Sequence, residues 1–211
     1  LNLFLMPVFL TVTHRMLPFF AANAVRGYQP WRPFWLLGCI WAGVVSLSLG
    51  ELIAVSVLRG AGAALLTAMT ALMLWKWWPR SKAPTLLWVL VIGFAWTPVG
   101  YALALLDSNG LWLGRAPDHA LTIGFAGSLI VAMVTRVTQG HSGRPLVLPA
   151  AGYIAFAGVQ LAAVSRMGAA VFGEQVEILL VSSAIMALSL APWTVRNARI
   201  YLRARIDGKA G

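Results

Sequence analysis

The sequence predicts an all-α fold, a polytopic bundle of about seven transmembrane helices. Of its 211 residues, 60% are hydrophobic and only 10% are charged, whereas a soluble domain carries about 25% charged residues. The apolar residues form runs of membrane-spanning length, and the basic residues collect in the connections between these runs. Together these observations exclude a water-soluble globule, because too little polar sequence is available to cover its surface.

Seven apolar runs are long enough to cross roughly 30 Å of hydrocarbon as helices. They cover residues 1–23, 34–57, 61–78, 86–106, 117–138, 148–170 and 176–198. Helix breakers and charges separate them, in the order RGYQPWRP, RGAG, PRSKAP, DSNGLWLGR, GHSGRP and FGEQ. The fifth run opens with Pro117 and Asp118, since proline suits a first helical turn and an acid complements the helix dipole. Pro18 is expected to kink or end the first helix.

The domain organisation follows from the same runs. No connection between them is long enough to hold a soluble domain, so we predict a single transmembrane domain over residues 1–211. The chain begins with Leu1 inside an apolar run, without the basic segment that opens a signal peptide. The sequence therefore predicts that this chain is part of a longer protein.

The basic residues predict how the bundle is oriented. Alternation of the seven runs places all but three of the 16 lysines and arginines on one side, the exceptions being Arg59, Arg115 and Arg166. The opposite side collects most of the acids, namely Glu51, Asp107, Asp118, Glu174 and Glu177. Because basic residues mark the cytoplasmic side of membrane proteins, the C-terminus is predicted to be cytoplasmic.

Two further features predict contact with the lipid bilayer. Tryptophans near the run ends are interpreted as interfacial belts, and they are Trp31, Trp35, Trp75, Trp77, Trp78, Trp112 and Trp193. Arginines between Arg196 and Arg205 recur at spacings of three and four, which indicates an anchor to anionic headgroups. We expect no nucleic-acid partner, because the basic residues adjoin apolar runs and do not form a soluble face.

Ionisable groups at membrane depth are the candidate functional residues, because a charge in hydrocarbon is unfavourable. Glu51 lies about six residues, roughly 9 Å, from the end of the second run. His119 lies near the start of the fifth run, on the same side of the membrane. A contact between the two is one interpretation; the alternative is that Glu51 is held by a serine, a backbone group or a water molecule.

The three histidines are the strongest nitrogen ligands in the chain. His14 and His141 are predicted to lie toward the cytoplasm, and His119 toward the other side. About 30 Å of helix separates His119 from His141, so these two cannot share one metal. The sequence contains no C-x-x-C, H-E-x-x-H, Walker or G-x-S-x-G motif. We therefore assign no catalytic residue and leave open whether the protein is an enzyme.

Small residues recur along the fifth run, at Gly124, Gly127 and Ser128. Small side chains let transmembrane helices approach closely, so these positions predict tight helix packing. The alternative is that they leave room for a planar cofactor.

Three segments resemble the NnrS family of haem- and copper-containing membrane proteins. They are HRMLPFF at residues 14–20, GYQPWRP at residues 27–33 and DHALTIGFAGSLIVAMVTRVTQGHSGRPL at residues 118–146. The third segment is long and specific, and the resemblance covers most of the chain. Members of the family have more spans than this chain, so the resemblance implies that the chain is a C-terminal portion.

The resemblance implies a protein of the bacterial inner membrane that binds haem and copper. It further implies a role in the response to nitric oxide and nitrosative stress, with no assigned reaction. The implied metal ligands are the histidines within the matched segments, His14, His119 and His141. Glu51 would then orient His119 by a hydrogen bond.

Arginines are the implied partners of the haem propionates, because a guanidinium matches a carboxylate in geometry and charge. The candidates on the predicted cytoplasmic side are Arg15, Arg136 and Arg144. For Arg136 the alternative is that its side chain simply extends to the membrane interface.

A different class of function is compatible with the same residues. In a transporter or channel, Glu51, Arg15 and Arg136 would line a polar path beside a broken first helix. A structural membrane partner is the third alternative.

Overall fold

The computed structural model describes residues 1–173 and 175–208 of the chain. Within these residues it contains seven long helices and no strand. They are α1 (Leu5–Ala24), α2 (Phe34–Leu52), α3 (Ser56–Trp77), α4 (Thr85–Ser108), α5 (Ala116–His141), α6 (Ala150–Val171) and α7 (Val176–Tyr201). Each is long and apolar enough to cross a membrane. The predicted all-α fold and its seven spans are therefore confirmed. Glu174 and Lys209, which contribute to the predicted orientation, lie outside the described residues.

The connection between α2 and α3 lies earlier than the sequence predicts. The expected turn RGAG, at residues 59–62, is part of α3, and the chain turns at residues 53–55 instead. The glycines in this region serve helix packing. A Cβ atom on Gly62 would collide with the backbone nitrogen of Leu47, and one on Gly50 would collide with the backbone at the start of α3. Their missing side chains thus let α2 and α3 meet along their backbones.

The first helix also differs from its prediction at Pro18. Helix α1 continues through this residue to Ala24, so Pro18 does not end the helix. Helices in membranes tolerate internal proline when neighbouring helices support the backbone. Here Pro18 itself is buried in the bundle.

Two of the tryptophans predicted to lie in the interfacial belts are buried instead. Trp77 is only 1% exposed, and its Nε1 donates a hydrogen bond to the carbonyl oxygen of Trp31 over 2.8 Å. Trp193 is 8% exposed, and its Nε1 donates to Oγ1 of Thr135 over 2.8 Å. Proximity to a run end did not reveal which face of the helix these residues occupy. The tryptophans that do face outward, as a belt requires, include Trp35, Trp75 and Trp112.

Helix α5 contains a π-helical segment, Ala120–Gly127, between two α-helical parts. A Cβ atom on Gly124 would lie 2.5 Å from Cδ2 of Trp96 in α4. In the opposite sense, a Cβ atom on Gly93 of α4 would lie 2.6 Å from Cβ of Ser128. Gly124 and Ser128 therefore lie at a tight contact with α4, where the indole of Trp96 fills the space against Gly124. Gly127 faces Val159 of α6 instead.

A buried polar bridge ties three helices together next to this contact. Nε1 of Trp96 donates to Oε1 of Gln160 over 2.7 Å, and Nε2 of Gln160 donates to Oγ of Ser128 over 2.6 Å. The bridge joins α4, α6 and α5. Hydrogen bonds between membrane helices average about 0.6 kcal/mol each, so the bridge adds to the packing but does not dominate it.

Substitution of Gly124 by alanine is expected to destabilise the bundle, because the new methyl group must displace Trp96. Overpacking of this kind costs about 1–3 kcal/mol, and the apparent Tm should fall by roughly 3–10 °C. Gly38→Ala is the matched control, since a Cβ atom there meets nothing within 4 Å and α2 continues through it. Thermal unfolding of both purified variants in detergent, followed by tryptophan fluorescence, measures the difference. Equal Tm values for the two variants would contradict the packing described above.

Candidate functional site

His14 belongs to a chain of aromatic rings packed between the helices. The aromatic cluster consists of Phe9, His14, Trp77, Phe94 and Phe125. Successive ring centroids lie 6.0 Å apart for Phe9–Phe125, 6.0 Å for Phe125–Phe94, 5.0 Å for Phe94–Trp77 and 6.4 Å for Trp77–His14. The members come from α1, α3, α4 and the π-helical segment of α5. The cluster therefore fixes the position of α1 against the three helices that follow it.

The imidazole of His14 is held in this cluster without full hydrogen bonding. The residue is 4% exposed, and its Nε2 is buried with no hydrogen-bond partner among the described residues. The backbone of Pro33 lies beside the ring. A buried polar atom without a partner costs about 1–3 kcal/mol, so native structures contain few of them. Nε2 is also the atom through which neutral histidine most often binds a metal.

Tyr28, just after the C-terminal end of α1, is a second buried polar group without a hydrogen-bond partner among the described residues. It lies in the connection between α1 and α2, and its hydroxyl is the buried atom. Burial raises the pKa of Tyr28 above its ordinary value, because the phenolate form loses its solvation. Tyr28 therefore stays protonated and retains a hydroxyl that can donate a hydrogen bond.

A polar cavity of about 100 Å³ lies at the end of the bundle that carries Glu51. Asn2 donates a hydrogen bond from Nδ2 to Oε1 of Glu51 over 3.2 Å. Arg59 and Asp107, which also line the cavity, form an ion pair of 2.9 Å between α3 and α4. Asp118 of α5 completes the polar wall. Carboxylates from three helices thus meet at this end.

Polarity continues about one helical turn below this cavity. Ser48 lies three residues before Glu51 in α2, and Tyr101 lies three residues before the cavity residue Ala104 in α4. Residues at this spacing share a helix face. The hydroxyl oxygens of Ser48 and Tyr101 are both buried and without a hydrogen-bond partner among the described residues.

The predicted contact of Glu51 with His119 stays a prediction. Glu51 accepts a hydrogen bond from Asn2. From α5, the cavity beside Glu51 is lined by Asp118, the neighbour of His119 in the sequence. His119 itself is half-buried at the first turns of α5.

Arg136 lies at the other end of the bundle and is held by an aromatic ring. Its guanidinium carbon is 4.0 Å from the ring centroid of Phe20, a distance typical of a cation–π interaction. Both residues line a mostly apolar cavity of about 170 Å³ together with leucines of α4. The side chain therefore has a fixed position inside the bundle, which simple extension to the interface would not require.

The remaining candidates lie apart from Arg136. Arg15 is exposed on α1, and His141 is exposed at the end of α5 beside Tyr201. Arg144 is half-buried and lines another cleft, formed with arginines of the C-terminal region. The structure thus separates the candidates into a buried His14 beside the connection between α1 and α2, an end carrying Glu51, Asp118 and His119, and an opposite end carrying Arg136, His141 and Arg144. Glu51 and Arg136 line different cavities.

Sequence reasoning missed several residues of these sites. Asn2 is the only polar residue among the first ten, and that isolation was an available signal of its contact with Glu51. The sequence places Asp118 at a helix start and among the acids opposite the basic side, but it does not show that Asp118 lines a cavity with Glu51. No local signal marks Trp77 as the neighbour of His14, or Phe94 and Phe125 as members of the same cluster, because these contacts join helices far apart in the sequence.

Comparison with known proteins identifies the family. A family model described as "NnrS protein" matches residues 1–205, nearly the whole chain. No curated protein and no solved structure matches the chain. The long segment at residues 118–146, which contains the π-helical part of α5, lies within the matched region. With seven apolar helices and a match of this extent, the chain belongs to the NnrS family.

Proposed function

We propose that this chain is a haem- and copper-binding protein of the bacterial inner membrane that acts in the response to nitric oxide and nitrosative stress. Membership of the NnrS family supports the proposal. The observation that carries it is the buried Nε2 of His14, for which the described residues offer no hydrogen-bond partner. The excess of basic residues on one side supports a cytoplasmic C-terminus.

A single buried imidazole fits haem iron better than a metal site built wholly from side chains. Haem iron takes only one or two axial ligands from a protein, whereas a structural zinc site takes four. Among the described residues, no group of three or more His, Cys, Asp or Glu side chains could hold a metal ion. His14 would therefore hold the iron through Nε2. When bound, haem supplies an iron centre to which nitric oxide can bind.

The surroundings of His14 suit this role. Trp77 and Phe94 are almost completely buried and keep water away from the imidazole. Nitric oxide is small and apolar, so it enters the bilayer and can approach the centre of the bundle from the lipid. Several exposed residues of α1, such as Val8 and Val12, are apolar and can face that environment.

Arg136 is the arginine best placed to bind a haem propionate. Its partner Phe20 lies six residues after His14 on α1, or about 9 Å along the helix axis. The cation–π contact holds the guanidinium in place, so less conformational freedom is lost when it binds a carboxylate. Arg15 is the second candidate, since it adjoins His14 in the sequence. Arg144 is the third, although it lines a different cavity.

Copper would be held by the two other histidines, at one end of the bundle or the other. His119 adjoins the polar cavity of Glu51 and Asp118, and Glu51 would orient it by a hydrogen bond. His141 is exposed and can take a metal from solution. Imidazole nitrogen suits copper in both cases.

Replacement of His14 by leucine tests two things: whether His14 ligates haem, and how much its unpartnered nitrogen destabilises the metal-free protein. We expect purified full-length protein to lose most of its haem, because the axial nitrogen is gone. We also expect the metal-free variant to be as stable as metal-free wild type or more stable, by up to about 3 kcal/mol, because a buried polar atom has been removed. Haem is quantified by absorption spectroscopy, copper by elemental analysis and stability by thermal unfolding.

His141→Ala is the matched control for haem, since this residue is exposed and its loss should leave haem content unchanged. Unchanged haem content in His14→Leu would contradict the assigned ligand. Metal-free wild-type protein that instead conducts a solute across vesicle membranes would contradict the whole proposal and favour a transporter.

Substitution of Arg136 by glutamine is expected to weaken haem binding about tenfold or more, since a charge-assisted hydrogen bond contributes about 1.5–3 kcal/mol. The reduction potential of the remaining haem should fall, because loss of a nearby positive charge favours the ferric state. Titration with haem and spectroelectrochemistry measure the two effects. Arg80→Gln, which removes an exposed arginine outside the cavity of Arg136, is the control. Equal haem affinities and reduction potentials in the two variants would exclude Arg136 as the propionate partner.

A further inference from the structure

Four arginines surround one open cleft at the C-terminal end of the bundle. The arginine cleft is formed by Arg144, Arg196, Arg199 and Arg203 and has a volume of about 480 Å³. Its remaining wall is apolar and includes Pro192 and Val195. Among the described residues, no aspartate or glutamate lines it. The cleft therefore combines a concentrated positive charge with an apolar side.

Local structure explains how the four side chains converge. Arg196 and Arg199 are three residues apart on α7 and share a helix face, and Arg203 follows just after the helix ends at Tyr201. Arg144 comes from the connection between α5 and α6. There Gly143 has a φ of 71°, a conformation that glycine adopts without strain, and it turns the chain toward α7.

The arginines of the cleft retain unused hydrogen-bonding capacity. Nη1 of Arg144 is buried and has no hydrogen-bond partner among the described residues. Arg196 is close enough to Arg144 for their charges to repel, and its Nη1 donates to the neutral amide of Asn197. The nearby acid Asp207 accepts two hydrogen bonds from Arg205, which does not line the cleft, and these bonds raise the pKa of Arg205. A bound anion would remove the repulsion within the cleft.

We propose that the arginine cleft binds a phosphate group, carried by an anionic phospholipid or by a soluble phosphate. Guanidinium groups match phosphate oxygens through paired hydrogen bonds, and several arginines together bind phosphate more strongly than one. The apolar wall lies beside the cationic one, as the headgroup and the first part of an acyl chain require. This site is independent of the proposed haem ligand, and its test does not use haem.

The test compares two doubly substituted full-length proteins that lose the same charge. Arg144→Gln with Arg196→Gln removes half of the cleft, and Arg80→Gln with Lys82→Gln removes two exposed charges beside another helix end. Native mass spectrometry of delipidated protein measures binding of phosphatidylglycerol against phosphatidylcholine. Isothermal titration calorimetry measures binding of inorganic phosphate.

We expect the first variant to bind its anion about tenfold more weakly or worse, and the second to bind like wild type. Preference for phosphatidylglycerol without affinity for inorganic phosphate supports the lipid as the source. Affinity for inorganic phosphate that depends on Arg144 and Arg196 supports a soluble phosphate. Equal weakening in both variants, or no binding of either probe, overturns the proposal.

Arg199→Gln with Arg203→Gln serves if the first variant does not fold, because both of these side chains are exposed and their loss leaves no buried gap. The same tenfold weakening is expected. Binding at the level of wild type in a folded form of this variant likewise overturns the proposal.

Discussion

The structure depends most on how it accommodates the imidazole of His14 among aromatic rings. A membrane-spanning bundle has no water at its centre, so buried polar groups need partners within the protein. Trp96 and Gln160 satisfy this requirement by bonding to each other across helices. Nε2 of His14 does not, although the ring packs against Trp77 of α3, which in turn contacts Phe94 of α4. The metal proposed to bind at Nε2 would explain why the chain maintains an arrangement that costs about 1–3 kcal/mol.

The same constraint separates the bundle into a dry centre and two polar ends. Carboxylates collect with Glu51 at one end, where an ion pair between Arg59 and Asp107 joins α3 to α4. Arginines collect at the other end, where Arg144 lines a cleft with arginines of α7. Between the ends, glycine contacts such as Gly124 against Trp96 bring the helices close enough for aromatic residues to interlock.

Hydropathy along the chain predicts the seven helices well, because crossing a bilayer needs a fixed length of apolar sequence. It does not predict what a glycine does. Gly62 looks like part of a turn in RGAG, yet it lies inside α3 at a backbone contact with α2. Hydropathy also does not predict which tryptophans are buried. Trp75 and Trp77 lie near the end of the same run, yet Trp75 faces outward and Trp77 is buried. The ability of imidazole to bind metals makes all three histidines candidate ligands from the sequence alone. Packing between helices distant in sequence then decides that His14 is buried and His141 is exposed.

Resonance Raman spectroscopy of the ferrous haem in purified full-length protein tests most directly whether His14 ligates the iron. The vibration between iron and the histidine nitrogen should be present in the wild type and absent in His14→Gly. Added imidazole, which can occupy the space left by the deleted side chain, should restore the band. Persistence of the band in His14→Gly without imidazole would contradict the assignment.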